Sequence, residues 1–364
     1  MGKKGAKMRL RVLDFGHVPA LRSQAVYHGV ARAMKPDDDP VVTLVNPQTP
    51  YVCVGVNQEV SKEVDEEFCV ANNLPVIRRH IGGGAVFLDA NQMFFHFIYP
   101  HAKAPHYAIN LYKRFIEPVV MTYHELGIAA EYRPVNDIQV AGRKIGGTGA
   151  ASIGEATLVV GSFMFDFDTA TMAKCLKVPS EKFRDKLKTT LDDYMTTMTR
   201  ELASLPDRAD VKALFLKHCG DVLSVTPEET EPTADELAAI VLEERALADP
   251  DWTYKKGRKF TELGVKISSG THLTESAHKA PGGLLRTHLL ARHGLIENVM
   301  ISGDFTCLPE DGIDRLCDRL IGVKLDEASL SSAIAVAIEK LQLDMPGIEV
   351  SDLVAAIKAA IHEE

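Results

Sequence analysis

Two short segments of this 364-residue chain gather the residue types that handle anions. The first is Arg78-Arg79-His80-Ile81-Gly82-Gly83-Gly84-Ala85-Val86-Phe87-Leu88-Asp89. Three successive glycines let a backbone approach a ligand closely and turn N–H groups toward an anion, because no Cβ stands in the way. The two arginines ahead of them offer forked donors suited to a phosphate or a carboxylate. The second segment is Asn136-Asp137-Ile138-Gln139-Val140-Ala141-Gly142-Arg143-Lys144-Ile145-Gly146-Gly147-Thr148-Gly149, which sets Lys144 between a strand and another run of glycines. An ammonium there can lie between a carboxylate and a phosphate and neutralise both as a transition state forms. Asn136 and Asp137 add an amide and a carboxylate able to address a nucleotide or Mg²⁺. Neither segment is a dinucleotide or Walker loop, since the G-x-G-x-x-G spacing and a closing G-K-[ST] are both missing. Taken singly, each also suits a blander structure: a glycine-rich hairpin with solvated arginines, and an exposed turn lysine.

These groups need elements to hold them. Residues 41–45 and 51–56, broken by Asn46-Pro47, read as strands, as do 75–79 and the aromatic run 93–99. Residues 61–72 read as one helix with Ser61 as its N-cap, and 111–126 as another that ends at Gly127. Residues 138–140 and 157–166 read as strands flanking the glycine-rich turn that carries Lys144. From 172 to 247 the pattern is mainly helical, and Asp249-Pro250 closes its last helix, 233–247. The chain therefore divides into a domain over 1–246 and a smaller one over 251–364. The smaller one reads as β runs at 264–267, 284–291 and 295–301, then helices at 308–320, 329–343 and 351–361. The expected class is a mixed α/β domain followed by a small α+β domain.

Composition removes several function classes. With 41 basic and 50 acidic residues the formal charge is −9, so no nucleic-acid partner is expected through bulk electrostatics. The six cysteines lack zinc-ligand spacing and suit a reducing compartment. No apolar run approaches a membrane span, and the basic start lacks the apolar stretch of a secretory signal. A cytoplasmic protein without a membrane partner is the expectation. His96, His101 and His106 read as surface or strand residues, and no histidine is assigned to catalysis.

The paired motifs resemble lipoate–protein ligase of the biotin/lipoate ligase superfamily. The likeness rests on Arg-Arg-x-x-Gly-Gly-Gly-Ala-Val-Phe-x-Asp over 78–89 and Asn-Asp-x-x-Val-x-Gly-Arg-Lys-x-x-Gly over 136–147. It continues through 157–162 and 176–183 and, more weakly, through 295–305, so it covers the chain from Val41 onward. The resemblance implies a class II aminoacyl-tRNA synthetase/biotin synthetase-like catalytic domain with a C-terminal α+β accessory domain. It implies two steps: lipoate attacks the α-phosphorus of ATP to give lipoyl-AMP, and a lysine of an acceptor lipoyl domain then takes the acyl group. Lys144 would touch the lipoyl carbonyl and the α-phosphate. Gly82, Gly83, Gly84 and Ala85 would line the groove with Arg79 near the acid end. Val86, Phe87, Gly147, Gly161 and Ser162 would complete the binding set. Asn136 and Asp137 would address the nucleotide, with Asp137 on Mg²⁺. The implied acceptors are an E2 subunit, a glycine-cleavage H protein or a lipoate carrier protein.

The chain departs from the family pattern at Ile81, Leu88 and Ala90, where ligases commonly carry Ser or Thr, His and Gly. Mild drift accounts for this, or a shifted acyl specificity such as octanoate. One rival is an octanoyl or lipoyl transferase that works without ATP through a cysteine thioester. Cys175 lies downstream of Lys144, but in an apparent helix without the Pro-Cys-Gly turn of that branch, and 127–133 holds no cysteine. Biotin–protein ligase is a poorer match, because its alternating Arg/Gly loop is missing. A non-catalytic binder of lipoyl groups is opposed by the intact Lys144 and Asn136-Asp137. The basic run Lys255-Lys256-Gly257-Arg258-Lys259 reads either as solvated or as a face for an acidic lipoyl domain.

Overall fold

The computed structural model describes residues 7–257 and 271–362. The expected β run at 264–267, and Arg258 and Lys259 of the basic run, lie outside the described residues.

Strand β1 (Met8–Val18) leads into helix α1 (Ala20–Ala33), then β2 (Val41–Pro47) and β3 (Tyr51–Val54). The stretch expected as one helix from Ser61 is two: α2 (Val60–Glu63) and α3 (Glu66–Ala71). Asp65 divides them, because its carboxylate accepts the Phe68 N–H and so caps α3. An aspartate followed by two glutamates is a stronger start signal than Ser61. Short strands β4 (Val76–Arg78) and β5 (Val86–Leu88) both pair with β3, the first parallel and the second antiparallel. The triple glycine therefore crosses from one side of β3 to the other instead of closing a hairpin.

The main sheet is built on β6 (Gln92–Pro100), whose nine residues are all buried. Phe95, Phe97 and Tyr99 point into one core with α4 (Ala108–Glu125), while Ile98 faces the other way toward α1. A strand covered on both faces has a continuous apolar run, which is why this one is plain in the sequence. The sheet continues through β7 (Ala130–Arg133), β8 (Asp137–Val140), β9 (Arg143–Ile153) and β10 (Ala156–Met164). Helices α5 (Thr169–Cys175), α6 (Glu181–Tyr194), α7 (Met198–Glu201) and α8 (Arg208–Val222) follow. Strand β11 (Val225–Glu229) then interrupts the region expected to be mainly helical. It is polar, carries Pro227 and buries only Val225, as an edge strand tolerates. The strand order is β11-β1-β2-β6-β10-β9-β8-β7.

Helices α9 (Ala234–Leu247) and α10 (Pro250–Thr253) pack on the side of the sheet covered by α1. Thr233 and Glu236 form a reciprocal capping box at the start of α9. The remaining chain forms an antiparallel sheet of β12 (Thr271–Ala280), β13 (Gly283–Arg292) and β14 (Leu295–Asp304). Helices α11 (Gly312–Leu320), α12 (Glu327–Leu341) and α13 (Val350–His362) pack on it around a separate apolar core. Residues 308–311, expected as the first turn of a helix, are not helical. Among the described residues, no helix is long and apolar enough to cross a membrane.

Candidate active site

A cavity of about 320 Å³ opens between the glycine loop after β4, strands β5, β9 and β10, and helix α6. Arg79, Gly82, Gly83, Gly84, Ala85, Val86 and Phe87 line it from the loop and β5. Asn136, Lys144, Gly147, Gly161 and Ser162 line it from the sheet. Asp137 stands just behind, with Oδ1 2.7 Å from Lys144 Nζ. The two segments that the sequence singled out thus meet across one space.

Lys144 owes its direction to a bulge. Gln139 pairs with Lys144 but Ile138 pairs with Gly146, so Ile145 is an extra residue on β9. In a regular strand, Lys144 and Gly147, three apart, would face opposite sides. The extra residue turns both toward the cavity. A Cβ on Gly147 would sit 3.0 Å from Lys144 Nζ, so glycine leaves the side chain room to lie along the strand. The Thr196 N–H donates to the Lys144 carbonyl at 2.8 Å and fixes the backbone there. This corrects the expected glycine-rich turn: Gly146, Gly147 and Gly149 lie inside β9, and the turn itself is Ala141-Gly142, both at positive φ.

Asp137 commits both carboxylate oxygens, one to Lys144 and the other to the Tyr194 hydroxyl at 2.8 Å. Burial and that carboxylate push the Tyr194 phenol up to about 12, which keeps it a donor. Asp137 is therefore placed as the counter-ion of Lys144. Asn136 is also engaged. Its Nδ2 donates to the Thr148 carbonyl at 2.5 Å, and its own carbonyl accepts from the Thr148 amide and hydroxyl. It pins the start of β8 to β9.

The two arginines do different things. Arg78 is fully buried, and its Nε and Nη1 donate to the carbonyls of Trp252, Thr253, Gly55 and Val56. Burial lowers its pKa to about 10. It is a brace, not the entrance donor that the sequence suggested. Arg79 faces the cavity, and its Nη2 holds the carbonyls of Gly82 and Gly84 at 2.8 and 2.9 Å. With those carbonyls drawn back to the guanidinium, Gly83 adopts φ +92°, which only glycine adopts at low cost. The Gly83 N–H donates to the Phe305 carbonyl at the end of β14, so the smaller unit touches the loop directly.

The sequence reading missed the inner wall. Gln24 and Tyr27 of α1, Cys53 of β3 and His96 of β6 all line the cavity. The sequence reads His96, with His101 and His106, as a surface or strand residue. It is a strand residue with a buried ring 4.3 Å from Tyr27, and Nδ1 shares a 2.6 Å hydrogen bond with the Thr43 hydroxyl. Burial lowers its pKa to about 3, so the wall carries a neutral imidazole. The signal was available: at period two, Phe94, His96 and Ile98 share a face opposite Phe95, Phe97 and Tyr99. Ile81 and Leu88, two of the three departures, add apolar wall, whereas Ala90 is not part of it. Cys175 is buried with its thiol pushed up to about 12 by burial, and Cys53 is likewise raised by burial.

The described lysines of the basic run after α10 make contacts within the molecule. Lys255 lies 4.2 Å over the Trp252 ring, and Lys256 is buried in an ion pair with Asp314 of α11.

An apolar cleft with one lysine–carboxylate pair and an opposing glycine loop, set on a mixed α/β sheet, defines a small-molecule enzyme domain. The chain belongs to the family of the lipoyl protein ligase A/B catalytic domain, which matches residues 19–220, and the bacterial lipoate protein ligase C-terminus matches residues 272–357. It is an enzyme of the lipoate–protein ligase type. Lipoate-protein ligase LplJ of Bacillus subtilis is 26% identical over 312 residues, covering 85% of this chain and 88% of that protein. Octanoyltransferase LipM of Kyrpidia tusciae is 27% identical over 274 residues, 68% of this chain and 98% of that protein. The fold matches P. falciparum LipL1 in complex with lipoate at a TM-score of 0.69 and 17% identity, over 98% of this chain and 99% of that one. It also matches a lipoate-protein ligase A bound with ATP at 0.58 and 20% identity, over 68% of this chain and 98% of that one.

Proposed function

We propose that this protein is an ATP-dependent lipoate–protein ligase. Lipoate enters the apolar cavity with its carboxylate toward Lys144, and the triphosphate lies along the glycine loop. The carboxylate oxygen attacks the α-phosphorus and pyrophosphate leaves, giving lipoyl-AMP. The ε-amine of a lysine on an acceptor lipoyl domain then attacks the acyl carbonyl, AMP leaves, and the amine loses its proton. The observation that carries this reading is Lys144, a cation held inside the cleft by Asp137 and facing the loop braced by Arg79. Its ammonium offsets the repulsion between two anions at the point of attack, and a preorganised charge in a partly dry cleft is worth more than one in water. Release by Asp137 would free the ammonium to follow the developing charge.

Mg²⁺ arrives with the triphosphate as part of that substrate, and Asp137, which keeps acceptor lone pairs beyond those used by Lys144 and Tyr194, is the carboxylate we assign to it. A cavity of about 320 Å³ is at the small end of the roughly 300–1,000 Å³ typical of ligand sites, which suits one medium-length acyl chain. Transfer without ATP needs an activated thiol. Burial raises both Cys175 and Cys53, the thiol nearest the chemistry, and this favours adenylation over a thioester route. We further infer that the catalytic unit ends close to residue 250 and that a lipoyl domain is the acceptor. Intact-mass measurement of E2, H-protein and carrier lipoyl domains after incubation with ATP, Mg²⁺ and lipoate tests the reading. A gain of one lipoyl group, absent with Lys144→Ala, is expected. Acyl transfer from an acyl carrier protein without ATP would overturn it.

A further inference from the structure

Outside the cavity, three buried side chains converge from different elements: His28 on α1, His80 just before the glycine loop, and Glu243 on α9. Each offers one donor atom, and the three atoms lie within 4.8 Å of one another. Glu310 of the smaller unit approaches from the other side of the His80 ring, with Oε2 2.8 Å from Nδ1, while Glu243 Oε2 is 3.3 Å from Nε2. Glu243 and Glu310 thus pair with His80 from its two sides, whereas His28 Nδ1 has no partner. His28 is wholly buried, and its Nε2 receives only a long 3.4 Å contact from the His80 amide. The Trp252 ring, 4.4 Å from the His80 ring, packs against the cluster.

A protonated His80 between two carboxylates, with Arg32 bridging Glu243 and Glu310, would balance charge without any ion. That arrangement leaves a buried imidazole nitrogen of His28 unsatisfied, and buried polar atoms in native proteins are rarely left so. Two imidazoles and a carboxylate form the donor set that zinc-class ions select. We propose that His28, His80 and Glu243 bind one divalent transition-metal ion of this class, with Glu310 orienting His80. A carboxylate on the second nitrogen of a ligating imidazole fixes the ring and strengthens it as a donor. The ion joins α1, α9 and the root of the glycine loop, and through Glu310 it reaches the smaller unit. Arg79, next in sequence to His80, would then brace Gly82 and Gly84 from an anchored base.

The test uses the full chain, stripped with a chelator and then dialysed against Zn²⁺ alone, without nucleotide. Metal analysis after desalting is expected to find about one Zn²⁺ per chain, and Co²⁺ in its place should give the intense visible bands of low-coordinate imidazole ligation. His28→Gln and Glu243→Gln should lose the ion, while Glu310→Gln should weaken it roughly 10- to 100-fold. Asp137→Asn, at the cavity, should bind as the native chain does. Circular dichroism checks folding, and Glu243→Gln, nearly isosteric, decides if His28→Gln does not fold. If neither variant folds, the Co²⁺ spectrum of the native chain decides. Folded native protein holding under roughly a tenth of an equivalent, a Co²⁺ spectrum like that of the hydrated ion, unchanged stoichiometry in the folded variants, or loss in Asp137→Asn each overturns the proposal.

Discussion

The glycine loop at 82–84 and the glycine-bearing strand at 146–149 look alike as strings of residues, each with basic neighbours, yet they are held by opposite means. The loop is fixed from outside. Arg79 takes two of its carbonyls, Phe305 takes an amide, and a Cβ on Gly82 would fall 2.3 Å from the Phe305 oxygen. The strand is fixed from within by its pairing with β8 and β10, and its glycines make room for neighbouring side chains. A loop shaped by contacts with a second unit can respond to that unit, whereas a laddered strand gives its lysine a constant position. The lysine is thus the fixed reference and the loop the adjustable wall.

The sharpest test of this contrast uses the adjacent arginines. Arg78→Met leaves several buried carbonyls without a donor and should cost about 3–5 kcal/mol in urea unfolding. Arg79→Met should cost clearly less and should instead raise KM for the nucleotide; equal losses would erase the distinction. Lys144→Ala should slow adenylation about 10²- to 10³-fold, read by pyrophosphate release, because a preorganised charge is lost. Its half-buried pair with Asp137 makes a stability change under about 1 kcal/mol the expectation. Gly82→Ala should destabilise by about 1–3 kcal/mol as its methyl meets a carbonyl. Gly147→Ala meets only the flexible end of Lys144 and should stay within about 0.5 kcal/mol while slowing the reaction. Comparable melting shifts for the two glycine variants would break the contrast.

The smallest effect concerns the clamp that holds the smaller unit beside the loop. Glu59 accepts hydrogen bonds from His288 and Ser302 across that contact. Burial alone would raise its carboxyl, but the hydrogen bonds from His288 and Ser302 carry it below its ordinary value. A depressed carboxyl contributes stability fully above its unfolded pKa of roughly 4.3 and loses it as the pH falls through the folded value. Melting curves between about pH 5 and pH 3 should therefore fall more steeply for the native chain than for Glu59→Gln. Parallel curves would remove Glu59 from the clamp.

How far the sequence could be read depended on whether a residue's surroundings were local. The aromatic run of β6, the helix ending at Gly127 and the two anion-handling segments were legible because periodicity and glycine act over a few positions. Arg78 was misread because its four acceptors come from residues over 20 and 170 positions away. Strand β11 was invisible because only Val225 is buried and its partner β1 is more than 200 residues distant. His96 was legible as a strand residue but not as cavity wall, since its neighbours Tyr27 and Thr43 come from residues more than 50 positions away. The helix at Ser61 failed for a local reason: Asp65 outcompetes it as a cap.

Ile145 adds nothing to the chemistry, yet the enzyme depends on its being counted. A ladder that paired Ile145 in regular register would keep every reactive side chain of the cleft and set Lys144 and Gly147 on opposite faces, turning the ammonium away from the cavity. Where the charge sits in this cleft is thus a matter of strand register as much as of residue identity.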